Sequence, residues 1–199
     1  TNADFQDITG AGAGDWDISG ATGGSGDCGG CTGITFTTAD DNFWIGDTGS
    51  WSDATQWSQT TGGAANGRVP LPQDAAYFDA NSFSTGSLTV TQDMPRIGSV
   101  DWTGATNTPT WTTSTTCSFF GSITLISGMT LTASTQAYTY EGRGSSTLTS
   151  AGKSWAKSFT IDCVSGTLTF GDAFTITGAQ LITHTTGNLN DGSFNVTVS

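Results

Sequence analysis

Seventeen carboxylates, one histidine, four cysteines and seven tryptophans are the side chains of this 199-residue chain that could carry chemistry. Polysaccharide hydrolysis needs two carboxylates flanking one bond. In the second half of the chain the acids stand far apart, at Asp101, Glu141, Asp162, Asp172 and Asp191. A lyase would need a basic side chain beside a metal, and Arg143 next to Glu141 is the one close pairing; a surface ion pair is its plainer role. His184 is flanked by threonines and has no acid or nucleophile at triad spacing. No Gly-rich phosphate loop with a following Lys is present. The expectation is a protein that is not an enzyme, with no catalytic residues and no cofactor.

The remaining groups suggest structural chemistry. Calcium takes six to eight oxygen ligands. Asp15 and Asp17 on one strand face, and the adjacent Asp40 and Asp41, are weak candidates for a structural Ca²⁺ site. Aspartate also favours turns with no metal at all. Cys28 and Cys31 form C-G-G-C, too few ligands for zinc, and two readings stay open: a loop disulfide or free thiols. Cys117 and Cys163 fall two coils apart in the repeat described below, roughly 10 Å, too far to bond. They read as small buried apolar residues. Trp44, Trp51 and Trp57 can form either a sugar-binding platform or a plug over the end of a core; the plug is favoured. Asn195-Val196-Thr197 fits a glycosylation sequon.

Elements must hold these residues, and composition restricts which. Glu occurs once, Thr and Ser fill 60 positions, and charged residues are 11%. Helix formers are scarce and strand and turn formers abundant, so the chain is all-β. No apolar run reaches the roughly 18 residues of a membrane span. The net charge of −12 disfavours nucleic acid as a partner. Residues 1–67 hold nine acids and no base. That asymmetry places a boundary near residue 40, with a Gly/Asp-rich segment over 1–40, a Trp-rich segment over 41–97 and repeats over 98–199.

The repeat is legible in the glycines. Gly98, Gly121, Gly144, Gly166 and Gly187 lie 23, 23, 22 and 21 residues apart. After them apolar residues recur two apart, as in Val100 and Trp102, Ile123 and Leu125, or Leu168 and Phe170. Alternation of this kind turns one face of a short strand inward. A period in the twenties with Gly corners predicts a mostly parallel β-solenoid, or β-helix, of about four coils over 98–190. It would follow an irregular Gly-rich N-terminal segment. An antiparallel sandwich explains the alternation but not the glycine register.

Three stretches then carry a resemblance: FWIGDTGSWSDATQWS (43–58), GGAANGRVPLPQDAAYFDANSF (62–83) and the repeats over 122–155. They resemble a family of repetitive β-solenoid proteins encoded by tailed phages and bacterial surface loci. Its motif is W-x-G-x-x-G-x-W-S-[DN]-x-x-x-W-S, followed by V-P and F-D-A-N-S. Trp44, Gly46, Gly49, Trp51, Ser52, Asp53, Trp57 and Ser58 match it, as do Val69, Pro70 and Phe78 to Ser82. The resemblance implies a fibre-like, tail-associated or cell-surface protein. Residues 1–37 resemble the closing segment of such a unit, although they precede the opening motif. That order implies a fragment or one period of a tandem array; Cys31 departs from the family pattern.

The expected function is therefore a structural subunit or repeat of an extracellular or virion fibre, assembling end to end. The alternatives are a surface adhesin that binds glycans and a β-helix polysaccharide-degrading enzyme. The expected partner is the protein itself, with surface glycans second; neither nucleic acid nor membrane insertion is expected. Residues 1–37 are expected to complete a neighbour's stack, bringing Phe5, Ile8, Trp16 and Ile18 against the last rung at Phe194, Val196 and Val198.

Overall fold

The structure is a computed structural model describing residues 3–12, 14, 16–65, 67–132 and 136–199. Its regular structure is nearly all β, and its mostly parallel sheets stack as a β-solenoid of about 9 turns. The main stack has three faces. One begins at Asp41–Trp44 and continues through Ala75–Tyr77, Ser99–Asp101, Ile123–Thr124 and Ser145–Thr149. The next carries Gly49–Ser50, Thr89–Gln92, Thr110–Thr113 and Thr130–Leu131, then Ser154–Trp155, Phe174–Ile176 and Val196–Val198. The third carries Arg96–Ile97, Cys117–Phe119 and Tyr138–Tyr140. The long strands Phe159–Phe170 and Ile182–Asn190 bend through the third face into the first, with the register shifting between Ile161 and Thr167.

Parallel pairing puts like on like. Ala76, Val100, Ile123, Leu148 and Phe170 are successive register partners and form one buried column. Ile97, Phe119, Tyr140 and Ile161 form another. One step beyond the Val100–Ile123 pair, Trp102 and Leu125 are both buried, as the alternation predicts. Aromatic planes continue the stacking: Phe78 lies 3.7 Å from Trp102 with the rings nearly parallel. Contacts of this kind contribute about 0.5–1.5 kcal/mol each beyond their burial.

The glycine corners have a steric cause. A Cβ on Gly98 would sit 2.1 Å from the Asp74 carbonyl oxygen of the rung below. On Gly166 it would sit 2.2 Å from the Gly142 carbonyl oxygen. The repeat nevertheless slips once. Ile123 pairs with Leu148, 25 residues on, whereas Val100 pairs with Ile123 after 23 and Leu148 with Phe170 after 22. Gly144 therefore sits two residues before the partner of Gly121, and its side is open space.

Three expectations are corrected. The coils do not begin near residue 98: among the described residues the first face is one sheet of seven rungs continuous from Asp41, and the second carries seven strands in two sheets of four and three. The segment over 41–97 is thus the first part of the solenoid, not a separate prelude. Residues 1–37 are not irregular throughout. Ala3–Phe5 pairs in parallel with Ser25–Asp27, Trp16–Asp17 pairs with Ile34–Thr35, and Thr9 bridges Thr32.

Ile123 lies mid-column and is 0% exposed. Ile123→Asp buries an unpaired charge, which costs several kcal/mol. We expect loss of the cooperative far-UV circular dichroism transition in this variant, while Thr147→Asp, at an exposed outward position of the same face opposite Thr169, retains it. Equal melting of the two would contradict the column.

Candidate functional site

One end of the main stack is sealed. The strand Trp57–Ser58 runs antiparallel along Asp41–Trp44, covering the outer edge of the first rung on that face. A short 3-10 turn, Ala54–Gln56, brings it there, with the Asp53 carboxylate accepting the Thr55 N–H as N-cap. Trp44, Trp51 and Trp57 pack on one another at centroid distances of 5.1 Å and 4.8 Å, and all contact Phe78. Each is 0% exposed. The sugar-platform reading of these three residues therefore fails and the plug reading holds, because an end-on core has no next coil to cover it.

On the last turn described, Phe194, Val196 and Val198 are 45%, 40% and 51% exposed, and Leu181 is 65% exposed. Val196 and Val198 continue the inward parity of Phe174 and Ile176, which are fully buried. His184 ends the column that begins at Ile97; it is exposed, with its Nε2 3.1 Å from the Gly187 carbonyl oxygen.

Residues 1–37 lie along the flank of their own stack. Asp4 meets Arg96 at 4.0 Å and Asp7 meets Arg143 at 2.5 Å. Arg143 lies near the Thr139 rung, two above Arg96. Three extended residues span about 10 Å, as do two rung spacings, so this strand runs along the solenoid axis. Gln73 fastens its partner, accepting the Asp27 N–H and donating to the carbonyls of Ser25 and Thr37. At the adjoining corner the Asp74 carboxylate, fully buried, pairs with Arg68 and accepts the N–H groups of Leu71 and Asp40. Burial pushes its acidity toward the neutral form despite these partners. The segment thus docks on the flank of its own chain. Phe5 packs against Phe36, Ile18 is half-buried, and Ile8 and Trp16 remain exposed.

The other candidate residues have structural duties. Cys28 and Cys31 are free thiols, so no disulfide joins them. Gly29 and Gly30, both at positive φ, carry the chain around a turn that buries Cys28 and leaves Cys31 near the surface. Burial, with Asp4 adding to it, pushes the Cys28 thiol up to about 12. Cys117 and Cys163 are buried free thiols, as expected. Asp15 lies outside the described residues. Asp17 accepts the N–H and hydroxyl of Ser19, and Asp40 accepts from Asp41 N–H and from the Gln59 amide. Asp41 is exposed at the start of its strand. Among the described residues no three His, Cys, Asp or Glu side chains converge. Arg143 forms its ion pair with Asp7, not with Glu141, whose backbone carbonyl it binds instead. Sequence spacing concealed this pair because its partners are 136 residues apart.

No protein-family model, curated protein or solved structure matches this chain. The resemblance stated above rests on the Trp and Val-Pro motifs themselves.

The Arg143 hydrogen bond holds the Asp7 carboxyl below its ordinary value. A depressed carboxylate stabilises the docked state above its unfolded value, near pH 4. That share is lost as pH falls through the folded value. Asp4 acts oppositely, since burial raises its pKa more than Arg96 lowers it. We expect Arg143→Ala to speed proteolysis within 1–37 at neutral pH, with its difference from wild type shrinking below about pH 4. Unchanged neutral-pH cleavage in the variant would contradict the docking geometry.

Proposed function

We propose that this chain is a structural solenoid unit of an extracellular or virion fibre, assembling end to end. The observation that carries this reading is the stack itself: inward columns such as Ala76–Val100–Ile123–Leu148–Phe170 run rung on rung behind a plug of three buried tryptophans. Parallel rungs are extended by strand addition, from a further stretch of one polypeptide or from a second copy, with backbone hydrogen bonds giving affinity and side-chain fit setting register. Exposed Phe194, Val196 and Val198 form the apolar row that such an addition would cover.

The isolated acids support the same reading. Glu141 accepts the Ser118 hydroxyl, Asp162 the Thr186 hydroxyl, and Asp172 two backbone N–H groups. Carboxylates committed to neighbouring coils act as staples between rungs. The resemblance to phage and bacterial surface solenoids points the same way.

Electron microscopy and sedimentation of the purified chain test the proposal. We expect elongated, concentration-dependent assemblies, reduced to monomers by Val196→Asp with the stack intact by circular dichroism. Wild-type monomers at every concentration would refute it. Incubation with neutral and acidic polysaccharides should release neither reducing ends nor unsaturated products. Turnover abolished by substitution of Asp162 or Glu141 would favour the enzyme reading.

A further inference from the structure

The face that carries Thr110–Thr113 differs from the other two. Each rung there presents a pair of outward residues around one inward residue: Thr89-Val90-Thr91, Thr110-Trp111-Thr112 and Thr130-Leu131-Thr132 are stacked in register. The pattern runs from Thr48-Gly49-Ser50 at the plugged end through this four-stranded sheet, and recurs in a separate three-stranded sheet from Ser154-Trp155-Ala156 to Thr197-Val198-Ser199. The seven strands of the two sheets give fourteen outward positions; thirteen are Thr or Ser, and Ala156 is the exception. None is charged, in a chain with 17 acids and 5 bases. Arg96, Glu141 and Asp162 interrupt the third face, and Asp41, Tyr77 and Asp101 the first. The N-terminal segment packs against those faces at Arg96, Glu141 and Arg143.

We propose that this threonine face binds ice. The rungs repeat every 4.8 Å or so, and outward residues on one strand stand about 6.7 Å apart. Water oxygens linked tetrahedrally at about 2.75 Å have second neighbours near 4.5 Å, and the hexagonal lattice repeats near 7.3 Å along its axis. The two nets agree to within about a tenth in both directions. A threonine hydroxyl both donates and accepts, while its methyl group restricts the first water layer. β-branching holds χ1 stiff in a strand, so little freedom is lost when a rigid lattice docks. Two hydroxyls are already tied to backbone: Thr48 accepts the Thr89 N–H, and Thr132 donates to the Trp111 carbonyl. A peptide would need an open edge or side-chain pockets, and this surface presents a net of short identical side chains instead.

The test uses the full chain at low concentration, with ice shaping and the gap between melting and growth temperatures as readouts. Thr112→Lys places a charge at the middle of the net. Thr147→Lys does the same at an exposed position on the first face. We expect faceted ice and a measurable gap for wild type and Thr147→Lys, and round, freely growing crystals for Thr112→Lys with its circular dichroism melt unchanged. Should Lys at 112 disturb the fold, Thr112→Val replaces it, with a reduced gap expected. Folded wild type that leaves ice growth unaltered would overturn the proposal, as would full activity in a folded Thr112→Lys chain. A wild-type dimer that Thr112→Lys dissociates, with no effect on ice, would also overturn it and assign the face to a second copy.

Discussion

A coil of this solenoid cannot bury its own inward side chains; only the next coil can. Every inward residue must therefore match a residue about 22 positions away, and every backbone N–H and C=O must find its partner on a neighbouring rung. The Ala76–Val100–Ile123–Leu148–Phe170 column is that requirement made visible. Side chains grow from Ala to Phe along it, so the cross-section fills differently at each level while the register holds. The glycine corners follow from the same stacking, because successive carbonyls approach where a Cβ would otherwise stand.

The requirement cannot be met at an end. The Trp44–Trp51–Trp57 cluster supplies a lid from the first rung and the turn and antiparallel strand that follow it, and that strand blocks the first edge. Blocking an edge in this way is a means of preventing unwanted pairing. The last rungs described carry Val196, Val198 and His184, all exposed. The plug gives the stack a direction, because it closes the core on the side of the first rung.

Part of this was legible in the sequence and part was not, for definite physical reasons. The Gly98–Gly121 spacing and the parity of Val100, Trp102, Ile123 and Leu125 were readable because inward side chains alternate with outward ones at short range. The earlier rungs were hidden because excursions interrupt the period. Gly49 pairs with Val90 across 41 residues, since the Trp plug and the Arg68–Asp74 corner intervene. On the threonine face the inward position changes from Gly49 to Val90 to Trp111 to Leu131, so no single apolar signature repeats. The flank contacts of the N-terminal segment were not legible because they join residues more than 90 apart, Asp4 to Arg96 and Asp7 to Arg143.

The chemistry of the outward surface follows from what stacking forbids. Like charges placed on successive rungs would face one another at about 4.8 Å and repel. A chain with seventeen acids must therefore disperse them. Here they go to corners, where Asp74, Asp93 and Asp172 accept backbone N–H groups, and to single positions such as Asp101 and Asp162 that oppose threonines. Threonine can repeat on every rung without that penalty, and its branching suits the strand. A face filled on those grounds becomes an ordered net of hydroxyl and methyl groups, whether or not selection acted on the net itself. The structural demand of the stack and a surface able to recognise a lattice thus come from the same residues, so substitution on this face can separate the two roles.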